Sequence, residues 1–453
     1  MILRRLTFNS EKEGIRMRKD DIRWLYQELP IWEEKGIITK EQSEKIHSYY
    51  GEVEERNWLQ FALAIFGTLG AILIGAGIIL LIAKNWDELS RPVRTLLSLM
   101  PTLMGQIIVG WVIYTGKESA AWREGSGILL FLTVGSSIAL IGQTYHIPGN
   151  MGSFLLTWML LGLPLVYTLS ASLPAIFYLI GITAWAGYIQ SEGGQVLLFW
   201  LLAALVIPHV WKNLSSNISS NRSIFLCWTI GLTFCFSLGI TLEKVLPGLW
   251  IIVYTSYFSI LYVVSKVFFD DDGEAFWDSP FKVIGISGIF VIAFLLTYEW
   301  PWRHIGWQHY RDSIYYNQWA GIMDYLITAV FLAAVTYLVF LYQKQERSKQ
   351  IYVMAPFLAL ICYLLSSLNL SGYSVFLFNL FIFFAGIYTI RTGIKERHIG
   401  STNGGMLLIT VLIVLRFFDM DLSFYIRGLA FIFIGIGFLV SNYLVTRNIR
   451  EER

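Results

Sequence analysis

FALAIFGTLGAILIGAGIILLIA, residues 61–83, is an unbroken apolar run of 23 residues. A helix rises 1.5 Å per residue, so roughly 20 apolar residues cross the hydrocarbon core and the run predicts a transmembrane helix. It stops at Lys84, Asn85, Trp86, Asp87 and Glu88, where charge and an indole mark a water boundary. Pro92 then separates it from the next element.

The same pattern recurs along the chain. Apolar runs lie at about 94–114, 126–144, 154–170, 174–190, 195–211, 224–242, 247–265, 281–298, 320–342, 350–368, 373–390, 405–418 and 424–445. With the first run they predict an all-α fold, a polytopic membrane helix bundle of about fourteen spans. Pro164, Pro174 and Pro208 sit at or inside the ends of the fourth to sixth runs, where the connections are short. The expected organisation is an N-terminal domain over 1–57, a membrane domain over 58–446 and a basic tail over 447–453.

Composition agrees with a bilayer as solvent. Of 453 residues, 55% are hydrophobic and 15% charged, against roughly 25% charged in soluble domains. The net charge is +2 and the basic residues form no stripe along which a phosphate backbone would run, which sets nucleic acid aside as a partner. Cys227, Cys235 and Cys362 all lie in apolar runs without CxxC spacing and read as small core residues. The first 57 residues are polar and carry both charge signs, so the first span is expected to act as its own insertion signal.

Before that span, Ile22, Leu25, Tyr26 and Leu29 recur at helical spacing, with Asp20 or Asp21 available as a cap. Gly36 suits the turn that follows. Thr39 and Gln42 form a capping-box pattern for a second helix reaching about Tyr50. These residues predict a small helical hairpin. Eleven Lys and Arg precede the first span, which by the positive-inside rule places the hairpin in the cytoplasm. It reads either as a solvated topology anchor or as a docking site for a partner protein.

Charge tests the span count. With fourteen crossings, the inner connections hold Lys117, Arg123, Lys212, Arg222, Lys266, Lys344, Arg347, Lys349, Arg391, Lys395 and Arg397, and the tail holds Arg447, Arg450 and Arg453. The outer connections hold fewer, chiefly Lys84, Arg91, Arg94, Lys244, Arg303 and Arg311. Both termini are therefore expected in the cytoplasm. Gly67, Ala71 and Gly75 recur every four residues in the first span and predict close helix packing, and Gly428 and Gly435 offer the same in the last.

The motif GIITKEQ at 36–42, the run LGAILIGAGIILLIAKNWDELSRPVR at 69–94 and GQTYHIPG at 142–149, followed by Trp158 and Pro164, resemble bacterial membrane proteins of the domain of unknown function 2157 family. The resemblance covers roughly the first 170 residues. RFFDMDLSFYIRG, 416–428, resembles the tail of a companion multi-span family, also uncharacterised. The resemblance implies a polytopic protein of the bacterial inner membrane with a short cytoplasmic N-terminal domain. It supplies no reaction, cofactor or catalytic residue.

Under this topology four polar outcrops emerge on the outer side: Asn85, Trp86, Asp87 and Glu88; Gln143, Tyr145 and His146; Glu299 through Arg311; and Arg416, Asp419, Asp421 and Arg427. Charges kept near helix ends reach interfacial water or find partners. Arg416 and Asp419 are spaced to pair, and Asp421 with Arg427 can close a second pair. The four read as structural ion pairs or as an anion or head-group site. His146 beside Tyr145 reads as a hydrogen-bonded anchor or as a base. His304 and His309 are five apart, not the i, i+4 metal spacing, and no metal site is expected. The acidic run Asp270, Asp271, Asp272 and Glu274 lacks calcium-loop spacing. No phosphate-binding glycine loop, HExxH or GxSxG pattern occurs.

Three functions fit these residues. One is a binding or transport protein whose outward-facing pocket is built from the outcrops and takes a small or amphipathic ligand. Another is a membrane-embedded transferase acting on a lipid-linked substrate, with Asp87 or Glu88 and His146 as acid or base. The third is a non-catalytic assembly or sensory protein acting through the N-terminal hairpin.

Overall fold

The computed structural model describes residues 19–50, 86–117, 119–216, 218, 220–243, 248–268, 276–303, 318–343, 351–395 and 399–419, with scattered helical positions between 425 and 440. Among the described residues the fold is all helical. Two compact units divide it, one ending at Pro174 and one beginning at Ala175.

The first unit opens with α1 (Lys19–Glu34) and α2 (Lys40–Tyr50), which pack as a hairpin. Leu25 and Leu29 are buried, as the helical spacing requires. Asp20 and Asp21 lie within α1, so neither is its cap. Gly36 adopts φ +68°, a left-handed turn that a Cβ disfavours. Thr39 and Gln42 form the reciprocal box: Thr39 N–H donates to Gln42 Oε1 at 2.9 Å and Gln42 N–H to Thr39 Oγ1 at 3.3 Å.

A short 3-10 turn, Trp86–Glu88, leads to α3 (Arg91–Tyr114), α4 (Ala120–Tyr145) and α5 (Met151–Thr168). The α3–α4 seam is polar inside: Ser137 Oγ meets Thr102 Oγ1 at 2.7 Å and donates to the Ser98 carbonyl at 2.5 Å. Such bonds hold helices together where lipid supplies no hydrophobic drive. Trp158 on α5 lies where a Cβ at Gly135 would stand, and its indole N–H donates to Phe131 O at 2.7 Å. In the α3–α4 turn, the Lys117 ammonium sits 4.8 Å from the ring centre of Trp111 and 5.6 Å from that of Trp122.

The second unit takes up α6 (Ser172–Ser191) from Ala175 on, then α7 (Leu198–Ala204), α8 (Ile207–Ser216), α9 (Asn221–Leu242), α10 (Trp250–Phe268), α11 (Pro280–Leu295), the short α12 (Trp300–Arg303), α13 (Gln318–Gln343), α14 (Ala355–Ser367), α15 (Ser371–Lys395) and α16 (Ile399–Asp419). Its centre is α10, which packs on α11, α13 and α14. Thr255, Ser256, Ser259 and Ser265 on α10 are fully buried, and these small side chains let neighbours close in. A Cβ on Gly285 of α11 would stand 2.8 Å from Phe258 O and from Tyr262 N, so the α10 and α11 backbones touch. On α15 and α16, Gly405 is equally tight against Gly386 O and Ile390 N, at 2.7 Å each.

Eight of these helices are long and apolar enough to cross a bilayer, and α7 with α8, bent by 40°, makes up to nine. The bend falls at the break between Ala204 and Ile207, just before Pro208 in the first turn of α8. Trp250–Lys266, Pro280–Leu295 and Ile351–Ser367 are shorter apolar helices. The first apolar run, with Gly67, Ala71 and Gly75, lies outside the described residues. Gly428 and Gly435 meet no described atom within 4 Å, whereas glycines bring helix backbones together at α10–α11 and α15–α16.

Candidate functional site

Polar residues of the second unit converge at one end of the bundle. Where α11 ends, Thr297, Tyr298 and Glu299 form a turn that Trp302 clamps from within. That indole is buried, donates to Leu296 O at 2.9 Å, and packs on Phe378 with ring centres 5.6 Å apart. Ser366 Oγ then donates to Trp302 O at 2.7 Å. Arg416, in the last turn of α16, reaches this turn: Nη2 donates to Thr297 Oγ1 at 3.2 Å, and the guanidinium lies 4.4 Å over the Tyr298 ring. Ser371 Oγ donates to Glu299 Oε1 at 3.3 Å, and Asn379 Nδ2 reaches Thr297 O at 3.5 Å. The turn between α11 and α12 therefore gathers the end of α16, the start of α15 and the end of α14.

Asp324 belongs to the same end. It is fully buried near the start of α13, and its Oδ2 accepts the backbone N–H groups of Gly248 and Leu249 at 3.1 Å each. Those amides precede α10, so the carboxylate satisfies donors that a helix start leaves open and meets the positive end of the α10 dipole. Tyr325, beside it, shares a 2.7 Å hydrogen bond with Tyr363 of α14. One apolar cluster holds Leu249, Leu296, Trp302, Tyr363 and Phe378, joining the Asp324 contact to the Arg416 turn.

In the first unit, Tyr145 Oη lies 2.9 Å from Thr95 Oγ1, close to the start of α3. The end of α4 and the turn Trp86–Glu88, which runs into α3, therefore share one end of that unit. His146 closes α4 in the left-handed conformation at φ +53° and is exposed, as are Gln143 and Glu88. Trp86 is 8% exposed, and its indole N–H has no acceptor among the described residues. At the other end, Glu124 accepts Ser172 N–H at 2.9 Å and Leu173 N–H at 2.7 Å, capping α6 with both oxygens.

The outcrops expected from sequence thus meet within units: Tyr145 with the residues that open α3 in the first, and Arg416 with the Glu299 turn in the second. Arg416 contacts Thr297 and Tyr298. The side chains of Asp87 and Asp419 lie outside the described residues, as do Asn85, Asp421, Arg427, His304, His309 and the acidic run at 270–274. Among the described residues, no group of three or more His, Cys, Asp or Glu side chains could hold a metal ion. Sequence reasoning passed over Asp324 and Glu124. The available signal was an acidic residue in the first turns of an apolar run, where a neighbouring helix start needs an acceptor.

These features define a multi-pass helical membrane protein. A family model described as a predicted membrane protein, the domain of unknown function 2157, matches residues 30–175, which bears out the resemblance in the N-terminal part. No curated protein and no solved structure matches the chain.

Proposed function

We propose that the chain crosses the bacterial inner membrane fourteen times with both termini and the N-terminal hairpin in the cytoplasm. On this reading the end of the second unit that carries Arg416 and Glu299 faces outward and binds the polar head of a small amphipathic ligand. The alternation of helix ends supports the topology. The ends of α11 and α16 meet the start of α15 at this site, while the start of α16 meets the end of α15, where Gly393 abuts Thr402.

The observation that carries the binding role is the Arg416 guanidinium seated on Tyr298 and bonded to Thr297. A guanidinium is a planar cation whose N–H fork suits a phosphate or carboxylate. Glu299 in the same turn adds a carboxylate, so the end fits a head group bearing both charge signs. Cysteine placed at Glu299, and separately at His146, is expected to react with an impermeant thiol reagent in intact cells. Reaction only after lysis would overturn the outward placement.

The hairpin supports a second reading, assembly with a protein partner. Trp24, Ile31 and Ile37 are exposed on it, and large apolar side chains clustered on so small a polar element mark contact surfaces. Deletion of residues 19–50 that abolishes function while membrane insertion persists would favour this role.

A further inference from the structure

A groove of about 430 Å³ opens between α6, α9 and α10 of the second unit, and none of its lining residues belongs to the Arg416 turn. Its volume falls within the roughly 300–1,000 Å³ of ligand pockets. Gly187 opens the space, and Gly239 makes room for Tyr254. A Cβ on Gly187 would find its nearest neighbour, Ile240 Cδ1, at 3.8 Å, so a larger side chain there would enter open groove. A Cβ on Gly239 would stand 2.7 Å from the Tyr254 hydroxyl, which crosses the groove to donate to Cys235 O at 3.0 Å. That donor is used up, and the rest of the wall, Phe236 and Ile240 included, is apolar.

The mouth differs from the wall. Gln190 Nε2 donates to Glu243 Oε2 at 2.6 Å, joining the ends of α6 and α9. An ionised carboxylate accepts about four hydrogen bonds, so Glu243 has acceptor sites beyond this one. Among the described residues, no lysine or arginine lines the groove. Cys235 lies about 12 Å below Glu243 along α9, at 1.5 Å per residue. Both α6 and α9 are long and apolar enough to span a bilayer, so the medium against the groove is lipid.

An apolar slot running down from a carboxylate, in a lipid environment, matches one kind of molecule. We propose that the groove holds one acyl chain of a bilayer phospholipid whose head carries a primary ammonium, and that this ammonium donates to Glu243. A quaternary ammonium has no N–H to donate, and a head group that is only anionic is repelled. The inference does not depend on the role given to Arg416.

The test is native mass spectrometry of the full chain from mixed vesicles of phosphatidylethanolamine, phosphatidylcholine and phosphatidylglycerol with matched acyl chains. The wild type is expected to retain the ethanolamine lipid at least about fivefold over the others. Glu243→Gln, an exposed change that keeps the Gln190 contact, is expected to reduce that preference to about onefold. Gly187→Leu, which fills the slot, is expected to reduce retention of all three lipids. Equal retention by the wild type, or a preference that survives Glu243→Gln, overturns the proposal. Displacement of the lipid by soluble phosphoethanolamine also overturns it, since the acyl chain would then contribute nothing.

Discussion

Asp324 Oδ2 accepts the backbone N–H of Leu249 at 3.1 Å, so a carboxylate on one apolar helix caps the start of another. The same oxygen takes the N–H of Gly248, and the residue is fully buried. Buried acidic groups in membrane helices are expensive and invite a functional reading. This one has a structural task, because uncapped amides at a buried helix start are themselves costly.

Leaving a buried donor unpaired costs about 1–3 kcal/mol and Asp324 satisfies two, so Asp324→Ala is expected to lower stability by about 3 kcal/mol. Asp324→Asn retains a carbonyl acceptor and is expected to lose about half as much. Thermal unfolding of the purified protein in detergent reads both. An alanine variant as stable as wild type would remove the capping role.

Glu124 does similar work with different geometry, giving one oxygen to Ser172 N–H and the other to Leu173 N–H. Glu124→Gln keeps a single acceptor and is expected to cost about 1 kcal/mol, Glu124→Ala about twice that. The amide protons of Ser172 and Leu173 should exchange faster in both variants. Unchanged exchange would show that the carboxylate is incidental to the start of α6.

Local features were legible because local chemistry determines them. Thr39, Gln42 and Gly36 specify the N-terminal turn from within seven residues, and hydropathy alone located helices such as Arg91–Tyr114 and Asn221–Leu242. Partners across the bundle were not legible. Arg416 has an acidic residue three positions away, and its spacing favours that pair. The fold brings Thr297 to it from 119 residues earlier, because the α15–α16 hairpin packs the end of α16 against the end of α11. Asp324 was hidden for the same reason: its acceptor role depends on amides 75 and 76 residues away.

Glycine seams make a sharper prediction than polar contacts do. At Gly285 the neighbouring atoms are backbone, Phe258 O and Tyr262 N, and a helix backbone cannot turn aside as a side chain can. Gly285→Leu is expected to cost well over the 1–3 kcal/mol of ordinary overpacking and to abolish accumulation in membranes. Gly110→Leu, at an exposed position on α3 with no described atom within 4 Å of a built Cβ, is expected to accumulate normally. Equal levels of the two variants would refute the α10–α11 contact.

His146 holds a left-handed conformation at the end of α4, which costs an ordinary residue roughly 1 kcal/mol and glycine almost nothing. His146→Gly is therefore expected to raise stability by about that amount, and His146→Val to lower it. The same pair separates anchor from base. An imidazole used as a base leaves His146→Gly stable but inactive in whatever growth phenotype the chain supports, whereas a cap leaves it stable and active.

Arg416 is where charge, shape and stacking can be told apart. Its guanidinium lies over Tyr298 and donates to Thr297 Oγ1; lysine retains the charge but loses the planar stack and the fork. A partly exposed cation–π contact contributes about 0.5–1 kcal/mol, so Arg416→Lys is expected to be only slightly less stable than wild type. Its effect on binding is expected to be larger. Retention of phosphatidylcholine, a probe with both charge signs and no N–H for Glu243, should fall about tenfold in Arg416→Lys and in Arg416→Met alike if the fork is what engages the phosphate. Retention unchanged in both variants sinks the head-group site, and a loss confined to Arg416→Met reduces Arg416 to a point charge.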